Sequence, residues 1–125
     1  MTQEDKELLL KDLCARLPYG VKMNHIANND NEPITLIGVA KDMITLEGNG
    51  GYSTENVEEF KLYLFPLSSM TEEQKKEQEA HFICIKHDMS FSICRYMEWC
   101  YKNHFDINGL LPKGLAIDAT GLNVY

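Results

Sequence analysis

The sequence predicts an α+β fold: an N-terminal helix, a small antiparallel β-meander, a charged helix, and a C-terminal amphipathic helix with a packed irregular tail. Three observations predict it. Apolar residues recur at helical spacing near both ends of the chain, the period shortens to about 2 between about residues 20 and 48, and clusters of Gly, Pro and Asn separate the segments. With 125 residues, 44% hydrophobic and 25% charged, the chain has the composition of one globular domain covering residues 1–125.

The first helix starts behind Thr2, a residue type that caps helix N-termini, with Glu4 and Asp5 placed to favour the positive end of the helix dipole. Leu9, Leu10, Leu13, Cys14 and Leu17 share one arc at 100° per residue, whereas Asp5, Asp12 and Arg16 fall elsewhere. Pro18 and Gly20 end it. Residues 20–27 alternate imperfectly, and Asn28, Asn29, Asp30 and Asn31 form a polar turn closed by Pro33. Ile34–Ala40 is strongly β-like, and Lys41–Asp42 turns it into a strand over Met43–Glu47. Gly48, Asn49, Gly50 and Gly51 read as a flexible loop, and Val57–Phe65 as a fourth short strand or a 3₁₀ turn.

A second helix opens at Thr71, which forms a capping box with Gln74, and its run Glu72–Glu79 has the charge of a solvated face. Phe82–Lys86 fits either the end of that helix or a separate strand. The last helix is expected from Phe91 to His104, with Asp88 or Ser90 as its cap. Its residues Ile93, Cys94, Tyr96, Met97, Cys100, Tyr101, His104 and Phe105 fill one arc of about 180°. Trp99 projects to the polar side. The tail from Asp106 to Tyr125 mixes Gly109, Gly114 and Gly121 with leucines and few charges, so Leu111, Leu115 and Ile117 are expected to be buried against the last helix near Trp99.

Charge narrows the functional classes. The net charge is −7 and no stretch has a basic excess, which argues against a nucleic-acid partner and against an anionic membrane surface. No apolar run approaches the roughly 18 residues of a membrane span, and the opening MTQEDKE has no secretory character. A cytoplasmic location follows as an expectation, with Cys14, Cys84, Cys94 and Cys100 as thiols.

The spacing Cys84-x2-His87-x12-Cys100-x3-His104 has the gaps of a Cys2His2 zinc finger with the ligand types permuted. Against it, Cys100 and His104 sit in the apolar arc, where thiol and imidazole pack as core groups. Cys84, with His81 and His87 on either side, offers a cysteine nucleophile and a base, but no nucleophile turn accompanies it. The glycine loop lacks the Lys-Ser/Thr of a phosphate loop. Glu58–Glu59 and Glu72–Glu73 lie among lysines as solvated faces. On the polar side of the last helix, Phe91, Arg95, Trp99 and Lys102 share an arc of about 80°, and Arg and Trp are enriched where proteins bind one another. Packing of Trp99 under the tail is the competing reading.

Three stretches, LLLKDLCARLPYG at Leu8–Gly20, YLFPLSSMTEEQKK at Tyr63–Lys76 and HFDINGLLPKGLAID at His104–Asp118, cover about a third of the chain. Together they resemble a family of short uncharacterised proteins from gut bacteria and their prophages. The resemblance implies a prophage or mobile-element setting and assigns no catalytic or binding residue. The expected function is that of a non-enzymatic accessory or protein-interaction protein with no cofactor, Trp99, Arg95 and Phe91 being the interaction candidates. The alternative is a small metal-binding or cysteine-dependent enzyme using Cys84, His87, Cys100 and His104.

Overall fold

A computed structural model of the chain describes residues 1–27, 32–48 and 50–125. The polar turn expected at Asn28–Asn31 lies outside the described residues, as does Asn49. Helix α1 (Gln3–Arg16) is followed by strands β1 (Lys22–His25), β2 (Ile34–Ala40), β3 (Met43–Gly48), β4 (Gly51–Asn56) and β5 (Phe60–Leu64). Helices α2 (Glu72–His87) and α3 (Met89–Lys102) come next, and strand β6 (Ala116–Asp118) closes the chain. The class is α+β, as the period change predicts.

The sheet is larger than the expected meander. Its six strands run in the order β4-β3-β2-β1-β5-β6, antiparallel except for the parallel pair β5–β6. β4 extends the β2–β3 hairpin, with Gly48 opposite Gly51 in register, so the glycine segment joins two paired strands. Gly50 has φ +80°, a left-handed value that glycine adopts without cost. Residues 57–65 contain both elements weighed for them: a 3₁₀ turn at Val57–Glu59 and then β5. Between Leu36 and Gly38 the β2–β3 register shifts, and Ile37, at the bulge, is left exposed.

Leu9 and Leu13 of α1 pack on Val21, Met23, Leu36, Ile44, Leu46 and Leu62 of the sheet region, and this is the main core. Cys14, placed in the apolar arc by its spacing, is exposed, while Asp12 and Arg16 are buried. The reason is a polar cluster that local periodicity does not encode. Arg16 donates to both carboxylate oxygens of Asp12, and its Nη2 also donates to the Phe105 carbonyl at 2.7 Å. Its guanidinium lies 4.9 Å from the Tyr101 ring centroid, and Asn108 donates to Asp12 Oδ2 at 2.8 Å. A buried charge survives only when paired and hydrogen-bonded, and this pair ties α1 to the end of α3.

The tail straddles the edge of the sheet. Leu110 and Leu115 join the α1 side of the core, β6 pairs with β5, and then Ala119 and Val124 cover Tyr63 as a separate cluster. This explains why β5 has consecutive buried residues at Leu62, Tyr63 and Leu64. The tail therefore packs on β5. Trp99 is grouped instead with Phe105 and with Ile107 at the start of the tail, and Leu111 and Ile117 are only half-buried.

Candidate functional site

Helices α2 and α3 form a hairpin whose packing is unlike that of the rest of the molecule. α2 opens on a complete capping box: Thr71 Oγ1 accepts from Gln74 N at 3.2 Å, and Gln74 Oε1 accepts from Thr71 N at 2.9 Å. It runs without a break through Phe82–Lys86, so that segment is helical. Asp88 ends α2 and starts α3 within one residue; its N–H donates to Cys84 O and its carbonyl accepts from Ser92 N. α3 thus begins at Met89, two residues earlier than the spacing predicts.

No residue of α2 is fully buried, and its extensive contacts are with α3. Gln74, Gln78, His81 and Ile85, spaced at i, i+4, i+7 and i+11, are its half-buried row. Polar and aromatic contacts join the two helices. Gln78 donates to the Tyr96 hydroxyl at 2.9 Å, and Trp99 Nε1 donates to Glu77 at 2.6 Å. Ring centroids step from Phe105 to Trp99 (5.5 Å), His81 (5.4 Å), Tyr96 (5.7 Å) and Phe82 (5.2 Å). Such tilted rings favour a defined helix–helix geometry.

At its C-terminal end α3 is anchored to the body: Cys100 packs with Met70 and Phe105, and Tyr101 lies under Arg16. Ile93, Cys94 and Met97, which the apolar arc places inward, are instead exposed. The arc is apolar, but only the part over α2 and the body is covered.

Along one side of the hairpin runs a cleft of about 580 Å³, within the range of ligand-sized sites. Its walls include Tyr19, His81, Cys84, Phe91, Arg95 and Trp99, with Glu98 and Lys102 also lining it. Phe91 is 61% exposed, with the Arg95 guanidinium 5.1 Å from its ring centroid. The structure therefore gathers Phe91, Arg95 and Trp99 on one surface, and Trp99 lines the cleft. Sequence reasoning did not include Tyr19, His81 and Cys84 in this surface. For His81 and Cys84 a signal was present in their i, i+3 spacing, which puts both on one side of α2.

The Cys/His set is not gathered. Cys84 lines the cleft, His87 is exposed at the end of α2, Cys100 is buried in the core, and the His104 ring stacks on Tyr125. Among the described residues no group of three or more His, Cys, Asp or Glu side chains is arranged to hold a metal ion. Burial pushes the Cys100 thiol up from its ordinary pKa, and burial together with the charges of Arg16 and Lys22 pushes His104 down to about 4. Cys100 is thereby held as a thiol and His104 as a neutral ring, states suited to packing. Among the described residues no hydrogen bond joins Cys84 to His81 or His87, although His81 and Cys84 line the same cleft.

Among the described residues no helix is long and apolar enough to cross a membrane. Comparison with protein-family models, curated proteins and solved structures finds no match.

Proposed function

We propose that this protein acts by binding another protein through the α2–α3 hairpin, as a non-enzymatic accessory factor. One observation carries the reading. A 16-residue helix with no fully buried residue, held mainly by one neighbour, leaves Phe91 open in an aromatic cleft beside Arg95 and Trp99. Exposed apolar surface rimmed by polar groups marks interaction sites, and Trp and Arg are the residue types that carry binding energy most often. The cleft suits an apolar side chain of the partner, with Arg95 and Lys102 positioned to meet a carboxylate next to it.

A cytoplasmic setting agrees with this role, and the prophage setting suggested by the three family-like stretches agrees with an accessory protein that acts on another macromolecule. The alternative, a metal protein or cysteine enzyme, is less well supported: His81 and Cys84 share the cleft, but Cys84, His87, Cys100 and His104 have separate surroundings.

Immobilised wild-type protein and its Phe91→Asp, Arg95→Glu and Tyr52→Asp variants test the proposal by capture from host lysate with mass spectrometry. Tyr52 is exposed on edge strand β4, apart from the hairpin. Proteins retained by the wild type and by Tyr52→Asp, but lost with both cleft variants, are the expected result. Identical retention by all four chains contradicts the proposal.

A further inference from the structure

The cleft uses one side of α2, and the side turned away from α3 has its own pattern. Glu79, Ile83 and Lys86 are spaced at i, i+4 and i+7 and form one stripe, and Phe82, whose ring also packs on Tyr96 of α3 at 5.2 Å, borders it. All four are exposed, Ile83 at 58% and Phe82 at 44%. Among the described residues Glu79 and Lys86 take part in no ion pair, whereas Glu72 and Lys75 on the same helix pair with each other at 3.4 Å. Ile83 is a large apolar residue left on the solvent side of α2, which packing on α3 does not explain.

We infer that this stripe is where two copies of the chain meet, α2 against α2, antiparallel about a twofold axis between Phe82 and Ile83. A twofold interface uses the same patch on both subunits, so its charges must complement themselves. This stripe does so in one alignment. With the axis between residues 82 and 83, Phe82 of each copy faces Ile83 of the other, and Glu79 of each faces Lys86 of the other. The apolar centre is then flanked by two symmetry-related ion pairs. A parallel alignment instead sets Glu79 against Glu79 and Lys86 against Lys86, which costs energy. One helix face is a small interface, at the low end of specific complexes, so the dimer is weak and concentration-dependent.

Sedimentation equilibrium on the full chain, from micromolar up to about 1 mM, reads the association directly. The expected result is a mass rising toward twice the monomer, and a monomer for Ile83→Asp. Glu79→Lys and Lys86→Glu each place like charges opposite one another twice and weaken association by about tenfold. An equimolar mixture of those two variants restores both ion pairs and associates like the wild type, as does the double variant Glu79→Lys/Lys86→Glu. Circular dichroism confirms that each chain is folded. A wild-type chain that stays monomeric throughout overturns the inference, as does a mixture that associates no better than the single variants. The cleft reading is untouched by either result, because the cleft lies on another side of α2.

Discussion

The ring of Tyr125 lies flat on the ring of His104, centroids 3.6 Å apart and planes 11° from parallel. The Tyr125 hydroxyl donates to the Tyr63 carbonyl at 2.7 Å and accepts from Lys22 N at 2.9 Å. The last residue of the chain thus closes a contact between β1, β5 and the turn after α3. Burial raises the pKa of this hydroxyl, which stays protonated as its donation to the Tyr63 carbonyl requires.

Tyr125→Phe keeps the ring stack and removes both hydrogen bonds, leaving Lys22 N without its acceptor. The expected loss of stability is about 1–3 kcal/mol, read by urea denaturation, since each of the two hydrogen bonds contributes about 0.5–1.5 kcal/mol net. Leu110→Ala, at a fully buried core position, is expected to cost about 2–5 kcal/mol. Truncation after Asn108 removes Leu110, Leu115 and β6 together and is expected to leave the chain largely unfolded, because the total margin of a domain is only about 5–15 kcal/mol. A truncated chain that melts like the full-length protein contradicts this placement of the tail.

His104 makes stability depend on pH in a stated direction. Its folded pKa of about 4 lies below the ordinary value of 6.5, so between those values the unfolded chain binds more protons. Stability from this group is present above about pH 6.5 and is lost as pH falls through that window toward 4, by at most about 3 kcal/mol. His104→Asn tolerates the positive φ of 62° and lacks the titrating ring. The variant is expected to be less stable at pH 7 yet to show a flatter dependence between pH 6.5 and 4.5. Equal slopes for the two proteins contradict the assignment.

Asp12→Ala leaves Arg16 as a buried cation with one of its partners gone. The expected cost is about 3–5 kcal/mol, the range for breaking a buried pair from one side. Replacing both residues by apolar ones of similar size, Asp12→Leu/Arg16→Met, is expected to recover much of that loss. Thermal melts of the two variants distinguish them, and an unperturbed Asp12→Ala contradicts the role given to the pair.

The elements legible in the sequence are those set by near neighbours. Thr2 and the Thr71–Gln74 box mark helix starts because capping is decided within four residues, and Ile34–Ala40 is rich enough in β-forming residues to be read alone. β4, with the sequence GYSTEN, carries no apolar alternation because nearly all of it is exposed at the sheet edge. β6 is three residues long and exists through its pairing with β5. The burial of Arg16 depends on a carbonyl 89 positions away, which no local window contains.

The candidate site divides the same way. Phe91, Arg95 and Trp99 are legible as one surface because they lie on one helix. The exposure of Ile93 and Met97 is not, because periodicity shows which face is apolar without showing what covers it. Likewise the gaps between Cys84, His87, Cys100 and His104 match a metal site in number, while the fold buries Cys100, stacks His104 on Tyr125 and leaves the other two at the hairpin surface.

The proposal that the hairpin binds a protein partner is tested most directly by photo-crosslinking in the native host. A photoreactive amino acid replaces Phe91 in the cleft or, in a separate chain, Tyr52 on β4. The account predicts one discrete crosslinked protein from position 91 and none of that identity from position 52. No crosslink at position 91, or the same products from both positions, contradicts it.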